Sequence, residues 1–202
     1  MLSEICLELE NKGWSIVDHF LTDSECHQLM EHLLLKENED SFRSAGVSRH
    51  LNKQVNSSIR DSKIFWINNF EENSALQCYK AKVSDLMIEL NQYFFLSMKR
   101  FESQFAIYER GGFYKKHVDQ HPETRHRQVS CVLYLEDCKE GGELVIYNKS
   151  NRLEVDKLVT PRRGRMVVFF SSGIFHEVLR ACEKRFSLTS WLRDDEQLPF
   201  TF

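Results

Sequence analysis

The 202-residue sequence lacks long apolar runs, closely paired cysteines and a large excess of one charge. No stretch approaches the roughly 20 consecutive apolar residues that a membrane-spanning helix needs. Residues 1–10 mix acids with apolar residues, whereas a secretory signal needs a basic start and a continuous apolar core. A net charge of −3 gives no general attraction to nucleic acid. We therefore expect a cytoplasmic protein that binds neither membranes nor nucleic acid.

The six cysteines are scattered, and no two of them form a Cys-x-x-Cys pair. The sequence therefore offers no cysteine-based metal or redox motif, and most of these residues are expected to act as small apolar packing groups in a reduced setting. There are only three prolines, and 42% of the residues are hydrophobic. One core suffices for a chain of this length, so we predict a single domain over residues 1–202.

The first hundred residues carry helical signals. Thr22 is a capping residue for a predicted helix that runs to about Lys36. A second predicted helix begins near Asn73 and runs to about Tyr93, with apolar residues at helical spacing. The polar segment between them, Asn38 to Arg60, is long for a loop in a compact domain, and such loops are usually functional or mobile. Residues 1–100 are thus predicted to be helical support with a flap loop.

After Ser103 the pattern changes to short apolar runs separated by turns. A series of this kind predicts a mainly β fold, an antiparallel double-sheet jelly roll whose outer face is covered by the two helices. Residues 101–193 would form its catalytic core. The predicted strands are Gln104–Tyr108, Gln128–Leu135, Glu143–Tyr147, Leu153–Leu158, Arg165–Phe170, His176–Leu179 and Arg185–Trp191.

The residues with the most chemical information are His117, Asp119 and His176. In an extended backbone, residues two apart point to one face, so His117 and Asp119 can bind the same ion. Two imidazoles and one carboxylate form the facial triad of non-haem Fe(II) oxygenases, which leaves coordination positions open for substrates. Arg185 follows nine residues after His176 and offers a planar fork that can hold a carboxylate.

His-x-Asp alone is a weak signal, because a surface ion pair at a strand end has the same pattern. The informative feature is the order of the set. The dyad follows a glycine turn, short strands come next, and the second histidine and the arginine close the series. We therefore interpret the complete set as an enzyme's metal centre.

This order and the neighbouring segments resemble the 2-oxoglutarate and Fe(II)-dependent dioxygenases, and within them the prolyl 4-hydroxylase branch. The resemblance implies a double-stranded β-helix, Fe(II) as cofactor, 2-oxoglutarate and O2 as co-substrates, and ascorbate as an added reductant. It is carried by the segments Ile59–Ile67, His117–Asp119, Val129–Leu135, Gly141–Leu144, His176–Val178 and Arg185–Trp191.

The resemblance also implies roles for residues outside the triad. Arg185 and Tyr134 would share the distal carboxylate of 2-oxoglutarate, and Tyr108 would lie near that co-substrate. On the substrate side, Arg127, Arg60 and Trp191 would contact the target, with Arg127 projecting from the mouth of the site. Trp66 would be a core residue in the strand after the flap. No catalytic residue beyond the metal centre is implied.

The implied reaction is hydroxylation of a peptidyl proline at C4, with succinate and CO2 as co-products. The partner would be a protein of the same cell, for which a translation component such as elongation factor Tu is a sensible first candidate, and the enzyme would act as a monomer. Two alternatives stay open: a hydroxylase of the same superfamily that acts on another residue or a small molecule, and a non-catalytic, cupin-like metal-binding module. A cupin-like protein with another reaction would not need Arg185 paired with Tyr134, and a module that has lost catalysis would be expected to have lost a metal ligand.

Overall fold

The computed structural model describes residues 2–45 and 56–196, which form three helices and two antiparallel sheets. None of the helices in these ranges is long and apolar enough to cross a membrane. The helices are α1 (Leu2–Lys12), α2 (Asp23–Asn38) and α3 (Ser74–Phe94). The strands are β1 (Trp14–Val17), β2 (Arg43–Ser44), β3 (Arg60–Asp61), β4 (Lys63–Ile67), β5 (Arg100–Tyr108), β6 (Phe113–His117), β7 (Arg127–Tyr134), β8 (Leu144–Tyr147), β9 (Val155–Val159), β10 (Met166–Phe170), β11 (His176–Val178) and β12 (Arg185–Arg193).

The larger sheet has seven strands in the order β1-β10-β7-β12-β5-β4-β2, and the smaller has five in the order β3-β6-β11-β8-β9. An apolar cluster joins the inner faces of the two sheets, with Ala106, Val132 and Phe169 from the larger and Leu144 and Ile146 from the smaller. Two antiparallel sheets packed in this way form the jelly roll that the sequence predicts.

The three helices pack against the outer face of the seven-stranded sheet in a second, larger apolar cluster. Two of them begin at the capping residues expected from the sequence. Thr22 Oγ1 accepts a hydrogen bond from the backbone N–H of Glu25, and the Glu25 carboxylate accepts one in return from the backbone of Thr22. The side chain of Asn73 accepts hydrogen bonds from the backbone N–H groups of Ala75 and Leu76. These bonds satisfy donors that have no partner within the helix.

Strict alternation along the strands separates the two clusters. On β7, Cys131 and Leu133 pack against the helices, while Val132 and Tyr134 face the smaller sheet. Neighbouring strands follow the same rule, with Leu188 of β12 on the helix side. The inner face of the larger sheet therefore lines the space between the two sheets, where a site can form, and its outer face packs against the helices.

Two expectations about the first hundred residues are incomplete. The described residues form three α-helices, and α1 packs in the core through Ile5 and Leu9. The first hundred residues also contribute β1 to β4, of which the resemblance indicated only the strand of Trp66. Trp66 itself is half-buried and packs against the inner cluster, so it is not a core residue. Residues 46–55, the centre of the expected flap, lie outside the described residues.

All six cysteines lie in the described ranges, and all are free. Four of them are buried, as expected for small apolar packing residues, while Cys78 is half-buried and Cys182 is exposed. Most of the cysteines therefore serve packing.

Candidate active site

The structure brings His117, Asp119 and His176 together. His117 ends β6 and is the cross-strand partner of His176, which begins β11. Asp119 lies two residues beyond the end of β6, and one ligand atom from each residue lies within 4.8 Å of the other two. Asp119 Oδ1 is 3.5 Å from His117 Nε2 and 3.7 Å from His176 Nε2. This donor set suits Fe(II) with open coordination positions, so the three residues fit the predicted metal.

Backbone carbonyls orient both histidines. His117 Nδ1 lies 2.7 Å from the carbonyl oxygen of Lys115, and His176 Nδ1 lies 3.2 Å from that of Ile174. With the proton on Nδ1, each Nε2 presents a lone pair to the space shared with Asp119. Burial, reinforced by the neighbouring His117, lowers the pKa of His176 to about 4, so this imidazole is neutral at neutral pH. A neutral imidazole is the form that binds metal.

Serine hydroxyls hold the carboxylate of Asp119. Ser130 Oγ donates to Asp119 Oδ2 at 2.7 Å and lies 2.8 Å from Ser171 Oγ, which leaves Oδ1 turned towards the histidines. Burial would raise the pKa of Asp119, but the attraction of the His176 and His117 imidazoles in their protonated forms, together with the hydrogen bond that a protonated His117 donates, outweighs it and brings the pKa well below its usual value. Asp119 is therefore ionised and oriented. Ser130 was not identified in the sequence analysis. The only signal for it was its position between Val129 and Cys131, because alternation along β7 places its side chain on the inner face.

A stack of side chains covers the outer side of His117. The ring of Tyr114 lies 3.6 Å from the ring of His117, with an angle of 21° between the planes. Arg60 packs on the same tyrosine, with Cζ 4.7 Å from the centroid of the Tyr114 ring, and its Nε donates to Ser62 Oγ. Arg60 lines the pocket as expected for a substrate contact, whereas Tyr114 was missed.

Arg185 lies at the other end of the site and is 2% exposed. Its Nε donates to the carbonyl oxygen of Gly142 at 2.9 Å, and its Nη1 donates to Ser187 Oγ at 3.1 Å. The guanidinium lies between the rings of Tyr108 and Tyr134, with Cζ 4.9 Å from each centroid. No carboxylate pairs with Arg185 within the described part of the chain. A buried guanidinium without an anionic partner is costly, so this end of the site favours an anionic ligand.

Tyr134 adds a second group that lacks a partner. Its side chain is fully buried, and its hydroxyl makes no hydrogen bond of good geometry within the described residues, although the guanidinium of Arg185 lies close to it. Burial raises the pKa of this hydroxyl, which is therefore a neutral donor. A buried hydroxyl normally has a hydrogen-bond partner, so Tyr134 and Arg185 together fit one carboxylate.

A pocket lined by residues of both ends, among them His117, Asp119 and Arg185, joins the two ends. Ser130, which holds Asp119, is the cross-strand partner of Trp191, while Tyr134 is the partner of Ser187. Four residues of β7, or about 13 Å of strand, thus separate the level of the metal cluster from the level of Tyr134. Side chains from both levels extend into the pocket, so one small ligand can contact both ends. Two polar residues missed in the sequence, Gln104 and Thr189, also line it.

Trp191 lines the pocket as expected, but Arg127 does not project from the mouth. The Arg127 side chain is 14% exposed, its Nε donates to Glu102 Oε1 at 2.7 Å, and its Cζ lies 3.9 Å from the ring centroid of Trp191. The expected orientation of Arg127 is therefore wrong, because Glu102 and the indole face hold the guanidinium. A direct substrate contact by Arg127 stays a prediction.

Comparisons with known proteins agree with this geometry. Residues 103–193 match the 2OG-Fe(II) oxygenase superfamily. A prolyl-4-hydroxylase from Pseudomonas putida is 32% identical, with a TM-score of 0.85, and the match covers 97% of this chain and 100% of that protein. A prolyl hydroxylase from Trichoplax adhaerens, solved with a peptide of hypoxia inducible factor, is 23% identical, with a TM-score of 0.85, and covers 96% of this chain and 89% of that one. A viral collagen prolyl hydroxylase from Paramecium Bursaria Chlorella virus-1, solved with 2OG, is 17% identical over 92% of this chain and 98% of that one, with a TM-score of 0.66.

The chain belongs to the 2-oxoglutarate and Fe(II)-dependent oxygenase superfamily, in its prolyl hydroxylase branch. It is a 2-oxoglutarate-dependent dioxygenase that uses Fe(II), 2-oxoglutarate and O2. The cofactor and co-substrates predicted from the sequence are thereby confirmed, as is the double-stranded β-helix fold.

Proposed function

We propose that this dioxygenase hydroxylates a prolyl residue at C4 within a protein substrate. The similarity to the Pseudomonas putida prolyl-4-hydroxylase supports this, because it extends over the whole of that protein at 32% identity. The Trichoplax adhaerens enzyme, which shares the fold, was solved with a peptide of hypoxia inducible factor, and this supports a substrate that is a segment of protein.

One observation carries the chemistry: a single pocket has a carboxylate–imidazole cluster at one level and a buried guanidinium without a carboxylate partner at the other. His117, Asp119 and His176 would hold Fe(II) on one side and leave its other side open. Arg185, with the hydroxyl of Tyr134, would hold the distal carboxylate of 2-oxoglutarate. When bound, Fe(II) supplies the oxidative decarboxylation of 2-oxoglutarate to succinate and CO2, which delivers the second oxygen atom of O2 to a substrate carbon.

The protein's own contribution is orientation and exclusion of water. Ser130 fixes the Asp119 carboxylate, and backbone carbonyls fix the two imidazoles, so the metal ligands need little rearrangement on binding. Tyr114 and Trp191 present aromatic surfaces at the metal level of the pocket. Such surfaces suit the apolar ring of proline. Arg60, over Tyr114, is the proposed contact with the substrate backbone or an acidic side chain.

The partner and the setting are also part of the proposal. We propose a translation component as the first substrate to test, with elongation factor Tu as the first candidate, in the cytoplasm. The enzyme would act as a monomer with one domain over residues 1–202, and ascorbate would help to keep the iron reduced. The support for the substrate, the cytoplasmic setting, the monomer and the role of ascorbate is the similarity to the prolyl hydroxylases.

The test uses the purified protein with Fe(II), 2-oxoglutarate and proline-containing peptides from elongation factor Tu. We expect succinate formation that peptide stimulates, and a peptide product whose mass has increased by one oxygen atom on proline. Asp119→Ala is the control for metal-dependent turnover. Succinate formation that no prolyl peptide stimulates, but that a small molecule or another residue does, would reassign the substrate while keeping the dioxygenase class.

A further inference from the structure

Trp191 forms a wall of the pocket at the level of the metal cluster. It is 6% exposed, and its cross-strand partner on β7 is Ser130, which hydrogen-bonds Asp119. On one side it meets the ring of Trp66, whose centroid is 5.7 Å away at a tilt of 40°. Its indole Nε1 is buried and has no hydrogen-bond partner among the described residues. The Trp191 ring is therefore not held in place by a hydrogen bond, and its position depends on packing against neighbouring side chains.

Arg127 packs on the face of that ring. Arg127 Cζ lies 3.9 Å from the ring centroid, which is the distance of a close cation–π contact. Its Nε donates to Glu102 Oε1 at 2.7 Å, and its Nη2 lies 2.7 Å from the same oxygen. The flat guanidinium is thus fixed by its edge on a carboxylate and by its face on an indole.

The strand register explains why these groups meet. Glu102 on β5 is the cross-strand partner of Trp191, and Arg127 on β7 is the partner of Arg193. Arg193 donates to Glu102 Oε1 at 2.8 Å, and both oxygens of Asp195 in turn accept from Arg193. Three adjacent strands therefore build one charge network beside the Trp191 ring.

Each arginine of the network has a carboxylate partner. Arg127 and Arg193 share Glu102, and Arg193 and Arg100 share Asp195, so Arg127 is not an unpaired cation. Arg60, by contrast, lines the pocket and has a serine as its hydrogen-bond partner. For Arg127 to bind a substrate directly, it would have to leave both Glu102 and the indole face.

We infer that Arg127 and Glu102 form a clamp that positions Trp191, and that Arg127 acts on the substrate through this ring and not by direct contact. Arg127 and Glu102 are then positioning residues, and Trp191 is the group that meets the substrate ring. For its effect on the substrate the inference rests on the proposed function, whereas the position of Trp191 can be measured without any substrate.

The kinetic test compares Arg127→Ala, Glu102→Gln and the double variant. Glu102→Gln keeps the shape of the side chain but removes the charge that holds the guanidinium. We expect each single variant to lower the kcat/KM for peptide hydroxylation by about tenfold, and the double variant to be little worse than either. Arg165→Ala is the matched control, because Arg165 has a similarly buried side chain, 13% exposed, and pairs with Asp18 away from Trp191.

The structural test reads Trp191 directly by near-ultraviolet circular dichroism. The chain has three tryptophans, so Trp191→Phe identifies the band that comes from Trp191 and its contact with Trp66. We expect this band to change in Arg127→Ala and Glu102→Gln, to persist in Arg165→Ala, and to be partly restored in Arg127→Lys, which keeps the charge but not the planar group. Arg127→Lys also serves if Arg127→Ala does not fold.

Two results would overturn the clamp. One is an unchanged Trp191 band in both Arg127→Ala and Glu102→Gln. The other is a strong loss of hydroxylation in Arg127→Ala with wild-type activity in Glu102→Gln, which would make Arg127 a direct substrate contact. If the wild-type protein hydroxylates no prolyl peptide, the proposed function fails, and the spectra still decide whether the clamp exists.

Discussion

The two faces of the seven-stranded sheet are built from the same strands but carry different kinds of side chain. The helix face is apolar and packs against α1, α2 and α3, and the buried hydroxyls of Tyr79, Ser103 and Ser190 there are hydrogen-bonded to one another. The pocket face carries charged and aromatic groups, some of which lack partners. Along β12 the pocket face presents Arg185, Ser187, Thr189 and Trp191, and the helix face presents Phe186, Leu188, Ser190 and Leu192.

This difference indicates a division of labour within single strands. Side chains on the helix face bury apolar area and meet their hydrogen-bonding needs, so they stabilise the fold. On the pocket face, Arg185 lacks an anionic partner and the hydroxyl of Tyr134 lacks a hydrogen-bond partner. A ligand can supply both. Substitutions on the two faces should therefore separate, with stability lost on one and binding or turnover lost on the other.

The strongest test of this separation is the metal cluster, whose ligands come from β6, β11 and the segment after β6 and line the same pocket as the inner face of the larger sheet. We expect His117→Ala, Asp119→Ala and His176→Ala each to abolish succinate formation, because each supplies one of the three protein ligands of the Fe(II) centre. The fold should survive in each, since the three side chains lie outside the helical cluster, which is the larger of the two apolar cores. Turnover assays and circular dichroism melting curves check both parts. Near wild-type turnover in one variant would remove that residue from the cluster.

The helix face is tested by Leu133→Ala. Leu133 is fully buried in the helical cluster, directly before Tyr134, whose side chain points to the other face. We expect the free energy of unfolding to fall by about 2–5 kcal/mol, as for other buried leucines. The Michaelis constant for 2-oxoglutarate should stay near wild type at a temperature where the variant is folded. A large rise in that constant would mean that the two faces are not independent.

Arg185→Lys tests the pocket face with the charge retained. Lysine loses the planar fork that contacts Gly142, Ser187 and the proposed carboxylate, so 2-oxoglutarate should bind more weakly by about 1.5–3 kcal/mol. The measurement is the Michaelis constant or a calorimetric affinity. An unchanged value would assign the carboxylate to another basic residue.

The chemistry of the site was largely predictable from the sequence, because it depends on residue types at short spacings. His117 and Asp119 are two residues apart, and Arg185 lies on a strand whose alternation is visible in the sequence. The helix α1 was missed although Leu2, Ile5 and Leu9 follow a helical period, so the signal was present. What the sequence could not predict depends on contacts between distant segments.

Tyr114 and Arg127 illustrate this limit. Tyr114 is three residues before His117, a spacing that places side chains on opposite faces of a regular strand. The pairing with β11 shifts register between His176 and Val178, and this irregularity in β6 brings Tyr114 onto the same side as His117. Arg127 turns towards Trp191 because Glu102, 25 residues earlier, lies opposite that tryptophan. Neither feature has a local sequence signal.

The smallest expected effect comes from removing the hydroxyl of a buried tyrosine on each face of the sheet. This pair of variants is also the most direct comparison of the two faces. Tyr134→Phe removes a hydroxyl that has no partner in the described structure, while Tyr79→Phe removes one that lies 2.6 Å from Ser190 Oγ on the helix face. We expect Tyr79→Phe to destabilise the protein by about 0.5–1.5 kcal/mol, the usual value of a hydrogen bond. Thermal and urea unfolding without ligands measure this change.

Tyr134→Phe should have the opposite sign in the same experiment. Because the buried hydroxyl is unsatisfied without a ligand, its removal should stabilise the protein by about 1 kcal/mol. The same change should weaken 2-oxoglutarate binding by about 0.5–1.5 kcal/mol, since the ligand loses a neutral hydrogen-bond donor. In that case the hydroxyl of Tyr134 lowers the stability of the ligand-free protein and strengthens the binding of 2-oxoglutarate. If Tyr134→Phe instead destabilises the ligand-free protein as much as Tyr79→Phe does, the hydroxyl of Tyr134 serves the fold, and the two faces do not differ as argued.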